Sequence, residues 1–163
     1  DVARLLREFR EDEACEFKSY RVARRSETPS EADAQADIIL LDSIGELRAM
    51  YRLASIAFVG GSLIPHGGQS VLEPASMGNA IIVGPHTFNF TDAINVFLNN
   101  NALIQIAAAS PEAIPYELFM QFSDLLEDPE KRAELSRNAR TVMESNQGAT
   151  SRTVAELRSA LNS

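Results

Sequence analysis

Residues 58–90 read FVGGSLIPHGGQSVLEPASMGNAIIVGPHTFNF. The order is strand, glycine loop, short helix, strand, loop. The apolar runs IAFV (residues 56–59) and AIIV (residues 80–83) are short and continuous, as in strands buried on both faces of a parallel sheet. A large share of the glycines and both histidines, His66 and His86, fall in this stretch. Gly60, Gly61 and Ser62 follow one strand directly. Gly67, Gly68, Gln69 and Ser70 lead into the helix, whose Pro74 is tolerable in its first turn.

Outward from this stretch the alternation continues. DIILL (residues 37–41) predicts another buried strand. Ser43 and Glu46, then Ser70 and Glu73, match the capping-box pattern and predict helices over about 43–54 and 70–78. Asn89 with Asp92 predicts a helix to about residue 99, and LIQI (residues 103–106) a last strand. Towards the N-terminus the spacing predicts an amphipathic helix over 1–13, a short strand over 17–22 and a loop over 24–36. Beyond residue 110 the pattern is helical. Ser110-Pro111-Glu112 starts a helix with Leu118, Phe119, Phe122, Leu125 and Leu126 on one face, Asp128-Pro129-Glu130 starts a second, and residues 150–161 form a third. The expectation is an α/β fold: a Rossmann-like parallel sheet flanked by helices, with right-handed crossovers and a helical C-terminal tail over 110–163.

The chain has 163 residues, 45% hydrophobic and 23% charged, which suits one domain, 1–163. A net charge of −8 argues against nucleic acid as a partner. It leaves room for a small phosphate site, which backbone amides can build without net positive charge. The single cysteine, Cys15, excludes an intrachain disulfide and fits a reducing compartment. No apolar run has the length of a membrane span. The chain opens inside a helical pattern without a Met, so it is expected to be part of something longer.

Glycines let backbone amides approach an anion, and a helix start favours one. The stretch is therefore expected to bind the phosphate and ribose of a nucleotide. It is neither a P-loop, since no Lys follows the second glycine pair, nor the G-x-G-x-x-G dinucleotide fingerprint. Glu73 could accept from two ribose hydroxyls or close a capping box, and Glu46 has the same two readings. His66 and His86 suit packing or phosphate donation, since nothing beside them has zinc spacing. Arg21, Arg24 and Arg25 read as the only basic cluster, solvated or facing an anionic ligand. No G-x-S-x-G elbow supports hydrolase chemistry.

Taken together, Val22-Ala-Arg-Arg-Ser26, Leu41-Asp-Ser-Ile-Gly-Glu-Leu47, Ala57-Phe-Val-Gly-Gly-Ser-Leu63, Gly67-Gly-Gln-Ser-Val-Leu-Glu-Pro-Ala75 and Gly84-Pro-His-Thr-Phe-Asn-Phe90 resemble the C-terminal half of bacterial 3-deoxy-D-manno-octulosonic acid (Kdo) transferases. These are GT-B glycosyltransferases of lipid A assembly. The resemblance implies that the chain binds CMP-Kdo as donor substrate. No cofactor is expected, and no metal, since the sequence has no Asp-x-Asp and no ligand cluster. It implies that Gly60, Gly61, Ser62, Gly68, Gln69 and Ser70 surround the phosphate and sugar, that Glu73 holds the ribose, and that Gly45 and Glu46 lie near the nucleotide. Arg24, His66 and His86 are further candidates. The chain departs from the family pattern at Ser43, Ile44, Gln69, Ser70 and Val71. The resemblance places the catalytic base, the membrane anchor and the surface for a lipid A precursor in an N-terminal half, so this part alone is expected to be inactive. It implies a cytoplasmic location, at the inner face of the bacterial inner membrane for the whole protein. Competing readings are another GT-B donor domain, a UDP-sugar epimerase, or a non-catalytic α/β nucleotide-binding module.

Overall fold

The structure, a computed structural model, describes residues 21–146 apart from 29, 108 and 109, together with residue 158. The helix expected over 1–13, all but one residue of that expected over 150–161, and most of the strand expected over 17–22 lie outside the described residues. The chain divides into units of residues 1–47 and 48–163.

In the first unit β1 (Val22–Arg24) pairs in parallel with β2 (Ile38–Leu40), Val22 opposite Ile38 and Arg24 opposite Leu40. The expectation that β2 is buried on both faces fails: Ile39 is 59% exposed. Among the described residues β1 is its sole strand neighbour. The segment read as a loop over 24–36 contains a 3-10 helix, Glu31–Gln35. Its start is held by the Asp33 carboxylate, which accepts from the Ser30 amide at 2.8 Å and the Ser30 hydroxyl at 3.1 Å.

Helix α1 (Leu47–Leu53) begins after the residues whose spacing suggested its start. Gly45 lies at φ +91°, a left-handed conformation that a right-handed helix cannot contain. Ser43 and Glu46 therefore bond side chain to side chain, at 2.7 Å, instead of capping a helix.

The second unit carries β3 (Ile56–Val59), α2 (Leu72–Met77), β4 (Ala80–Val83), α3 (Thr91–Asn99), β5 (Ile104–Gln105), α4 (Ile114–Glu127) and α5 (Pro129–Asn146). The strands form one parallel sheet in the order β3-β4-β5, with Val59 opposite Val83 and Val83 opposite Gln105. All four residues of β4 are buried. Its pleat sends Ile81 and Val83 into one core with Val71, Ala75, Ile94, Phe97, Ala139 and Val142, so α2, α3 and α5 cover that face. It sends Ala80 and Ile82 into a second core with Leu125 and Leu135, against which Leu118 and Phe122 pack. The mixed α/β architecture with parallel strands flanked by helices is the expected one.

Two helix starts behave differently. Asp128 Oδ1 accepts from the amides of Glu130 (3.0 Å) and Lys131 (2.9 Å), capping α5 as its sequence implied. At 110–113 the chain makes a turn, closed by the Ala113 amide on the Ser110 carbonyl at 3.1 Å, and α4 starts beyond it. Its apolar face is Leu118, Phe122 and Leu125; Phe119 (64%) and Leu126 (66%) are exposed. No helix among the described residues is long and apolar enough to cross a membrane.

Asn79 joins α1 to the sheet. It is buried just ahead of β4, and its Nδ2 donates to the carbonyls of Tyr51 (2.9 Å) and Ala54 (2.5 Å), at the end of α1. Such carbonyls have no partner within a helix. Asn79→Ala is expected to lower stability by about 1–3 kcal/mol, because it strips two acceptors at once. Urea denaturation measures this as a lower midpoint at constant slope.

Candidate functional site

Because β3 and β4 are adjacent and parallel, the loops after Val59 and Val83 leave the same edge of the sheet, where ligands of open α/β sheets bind. Ser62 joins them. Its side chain is fully buried, its hydroxyl donates to the Val59 carbonyl at 2.6 Å, and it accepts from the Gly84 amide at 2.8 Å. The Ser62 carbonyl accepts from the His86 amide at 3.0 Å. Gly84 packs so tightly here that a β-carbon would overlap the Ser62 carbonyl.

Further bonds close the arrangement. The Gly68 amide donates to the Gly61 carbonyl at 2.9 Å, folding the glycine loop back on itself. Asn89 was read as a helix cap. It instead bridges to the glycine loop, its amide donating to the Gly67 carbonyl at 3.2 Å and its Nδ2 to the His66 carbonyl at 3.2 Å. From β5, Gln105 Nε2 donates to the Gly84 carbonyl at 3.3 Å and to Thr87 Oγ1 at 3.0 Å. Asn89 and Gln105 are positioning residues that the sequence reading missed. Gln105 carried a usable signal, since a polar residue inside an apolar strand needs a partner.

The rim of this loop pair holds Gln69, Glu73 and His66, all exposed, with Gly60, and the half-buried Gly61, Ser70 and His86. The capping box expected of Ser70 and Glu73 does not form. The N-cap is Val71, so Glu73 falls one position too early, and Ser70 Oγ accepts from the Leu72 amide at 3.3 Å instead. The Glu73 carboxylate is left without a hydrogen bond among the described residues. It does influence Tyr51: burial first, and then the Glu73 charge, push the phenol above its ordinary range. A solvent-facing carboxylate beside a loop whose Gln69 and Ser70 amides meet no acceptor among the described residues can accept from vicinal hydroxyls while those amides face an anion.

In the first unit the remaining candidates, Arg24, Gly45 and Glu46, sit in a separate network. The Glu46 carboxylate pairs with Arg25, Nε to Oε2 at 3.0 Å and Nη2 to Oε1 at 3.1 Å, and also takes the Ser43 hydroxyl. Asp42, which the sequence reading passed over, accepts from the Ser26 amide (2.9 Å) and hydroxyl (2.8 Å), with Arg24 at 3.9 Å. The turns after β1 and β2 are thereby stapled together. The Ser26 hydroxyl first, and then its amide, hold the Asp42 carboxyl below the usual carboxylate range. Gly45 is exposed, with open space where a side chain would be. No group of three or more His, Cys, Asp or Glu side chains among the described residues is arranged to hold a metal ion.

No protein-family model matches the chain. Over 132 residues it is 37% identical to the 3-deoxy-D-manno-octulosonic acid transferase of Bordetella pertussis, a match covering 81% of this chain and 29% of that protein. With the protein of the same name from Haemophilus influenzae it shares 34% over 137 residues, 83% of this chain and 30% of the relative. The crystal structure of the C-terminal CMP-Kdo binding domain of WaaA from Acinetobacter baumannii matches with a TM-score of 0.66 at 32% identity, over 76% of this chain and 61% of that one. This chain is a homologue of the Kdo transferases. It spans 29% to 30% of the length of those two curated relatives.

In this Kdo transferase homologue the two networks make separate predictions. Gly84→Ala is expected to cost about 1–3 kcal/mol or more through overlap with Ser62. Gly60→Ala, which meets open space on an exposed residue, should stay within about 0.5 kcal/mol of the parent. Chemical denaturation of the two variants checks the order. The Asp42 carboxyl, depressed when folded, contributes stability that is complete above the unfolded value of about 3.9 and lost as pH falls through the folded one. Ser26→Ala is expected to raise the Asp42 midpoint, read by carbon NMR of its carboxyl.

Proposed function

We propose that this chain is the donor-binding part of a glycosyltransferase that moves Kdo from CMP-Kdo to a lipid A precursor. The observation that carries the reading is the pair of interlocked loops at the ends of β3 and β4, with the Glu73 carboxylate at their rim, in a fold matching a CMP-Kdo binding domain at 32% identity. The amides of Gln69 and Ser70 face the donor phosphate, and Gly60, Gly61 and Gly68, without side chains, leave room for it to approach. Glu73 accepts from the ribose hydroxyls. Ser62 acts through the loops it joins, since its hydroxyl is already engaged on both sides. His66 and His86 flank the loop, and for Arg24, Gly45 and Glu46 the family resemblance is what supports a part in nucleotide binding.

In the reaction the bond between the anomeric carbon of Kdo and the phosphate oxygen of CMP breaks. A bond forms from that carbon to an acceptor hydroxyl, whose proton passes to a base in the rest of the protein. Negative charge grows on the departing CMP, and fixed backbone donors stabilise it without having to reorient. A nucleotide donor and a lipid acceptor suit a protein working at the cytoplasmic face of the inner membrane, with the acceptor held by the remaining part of the chain. No cofactor enters this scheme.

Calorimetric titration of CMP, UDP and ADP into the full-length protein tests the reading, and preference for UDP would overturn it. Glu73→Ala is expected to weaken CMP binding about 10-fold to 100-fold, the range for losing charge-assisted hydrogen bonds. The melting temperature should hardly move, because Glu73 caps nothing. Unchanged CMP affinity would remove Glu73 from the site.

A further inference from the structure

At the opposite end of the same sheet a groove of about 500 Å³ is lined by Arg52, Arg132, Arg137 and Arg140. Ser55, also in its wall, immediately precedes β3 and Gly78 lies two residues before β4, whereas the glycine loop follows β3. A four-residue strand separates the two ends by about 13 Å. We propose that this groove is a second anion site, in which the four guanidinium groups hold a phosphate-bearing ligand.

The charge is concentrated against the trend of the chain. The net charge is −8, yet no Asp or Glu among the described residues lines the groove. Sequence order hides the cluster, because Arg52 comes from α1 and the others from α5, where Pro129, Arg132, Ala133, Ser136, Arg137 and Arg140 recur at the spacing of a single helix face. Arg21, Arg24 and Arg25 are therefore not the only basic cluster.

Two of the four arginines are fixed in advance. Arg132 Nη1 donates to the Leu125 carbonyl and, at 3.3 Å, to that of Leu126, at the end of α4. Arg140 Nη2 reaches the Met77 carbonyl at 3.4 Å, and its guanidinium lies where a β-carbon on Gly78 would be. The side chains of Arg52 and Arg137 meet no hydrogen-bond or ion-pair partner among the described residues, so their donors remain for a ligand. Ala54, Ala133 and Gly78 keep the walls low. Guanidinium forks match pairs of phosphate oxygens, and gathered like charges without counter-ions favour an anion of more than one charge.

Inorganic pyrophosphate titrated into the isotopically labelled 163-residue chain tests this by NMR. The expected result is shifts at the amides of Ser55, Ala133 and Ser136, with binding that weakens as salt rises. Arg52→Gln with Arg137→Gln should weaken binding about tenfold or more while the urea midpoint holds, since neither side chain bonds within the fold. Shifts confined to residues 60–70, or parental affinity in the double variant, would overturn the proposal. So would glutamate binding as well as pyrophosphate, which would point to an acidic peptide. Vesicles separate the sources of phosphate. Retention on phosphatidylglycerol but not phosphatidylcholine, lost in the double variant, assigns a lipid headgroup. Pyrophosphate binding without vesicle retention assigns a soluble phosphate ester.

Discussion

The glycine-loop edge of this molecule depends on one buried hydroxyl. Ser62 Oγ donates to Val59 and accepts from Gly84, tying the ends of two neighbouring parallel strands. Strand ends in a parallel sheet leave backbone groups that must find partners once buried, because an unpaired group there costs about 1–3 kcal/mol. Serine supplies a donor and an acceptor in the smallest volume, and Gly84 lets the second loop come close enough to use them. The consequence is chemical as well as structural. Groups spent on holding the loops together cannot also hold a ligand; those left without a partner among the described residues are the Gln69 and Ser70 amides and the Glu73 carboxylate.

That edge can be rigid because of what lies beneath it. β4 is buried along its length and divides two cores, so displacing it would disturb packing on both faces. α5 reaches both of them, through Ala139 and Val142 on one side and Leu135 on the other. Its solvent-facing stripe carries three of the four arginines of the basic groove. One helix thus supports the sheet beneath the glycine loop and lines the groove at the opposite end.

The alternation of strands and helices was legible from short apolar runs, as was the glycine-loop strand edge. Helix starts were less so. Ser43 with Glu46 and Ser70 with Glu73 carry the capping-box spacing, yet neither caps its helix. Gly45 turns left-handed between the first pair, and the Glu46 carboxylate goes to Arg25. In the second case the helix starts one residue later than the pattern implies, which frees Glu73. Ser30 with Asp33, inside a segment read as loop, does bond, the Asp33 carboxylate accepting from both the Ser30 amide and its hydroxyl. Spacing lists which bonds are possible; backbone conformation and competing partners select among them.

The sequence by itself determined the parallel α/β architecture, the position of the glycine loop at a strand end and, through five motif blocks, the resemblance to Kdo transferases. Those features rest on local patterns of apolar residues and glycines, which act over a few residues and survive any tertiary arrangement that buries them. Only the tertiary structure decided that Ser62 and Asn89 lock the loops, that Asp42 and Glu46 staple the turns of the first unit, and that distant arginines converge in one groove. Each of those depends on groups far apart in the chain meeting within hydrogen-bond reach or around a common cavity, and chain folding alone sets that proximity.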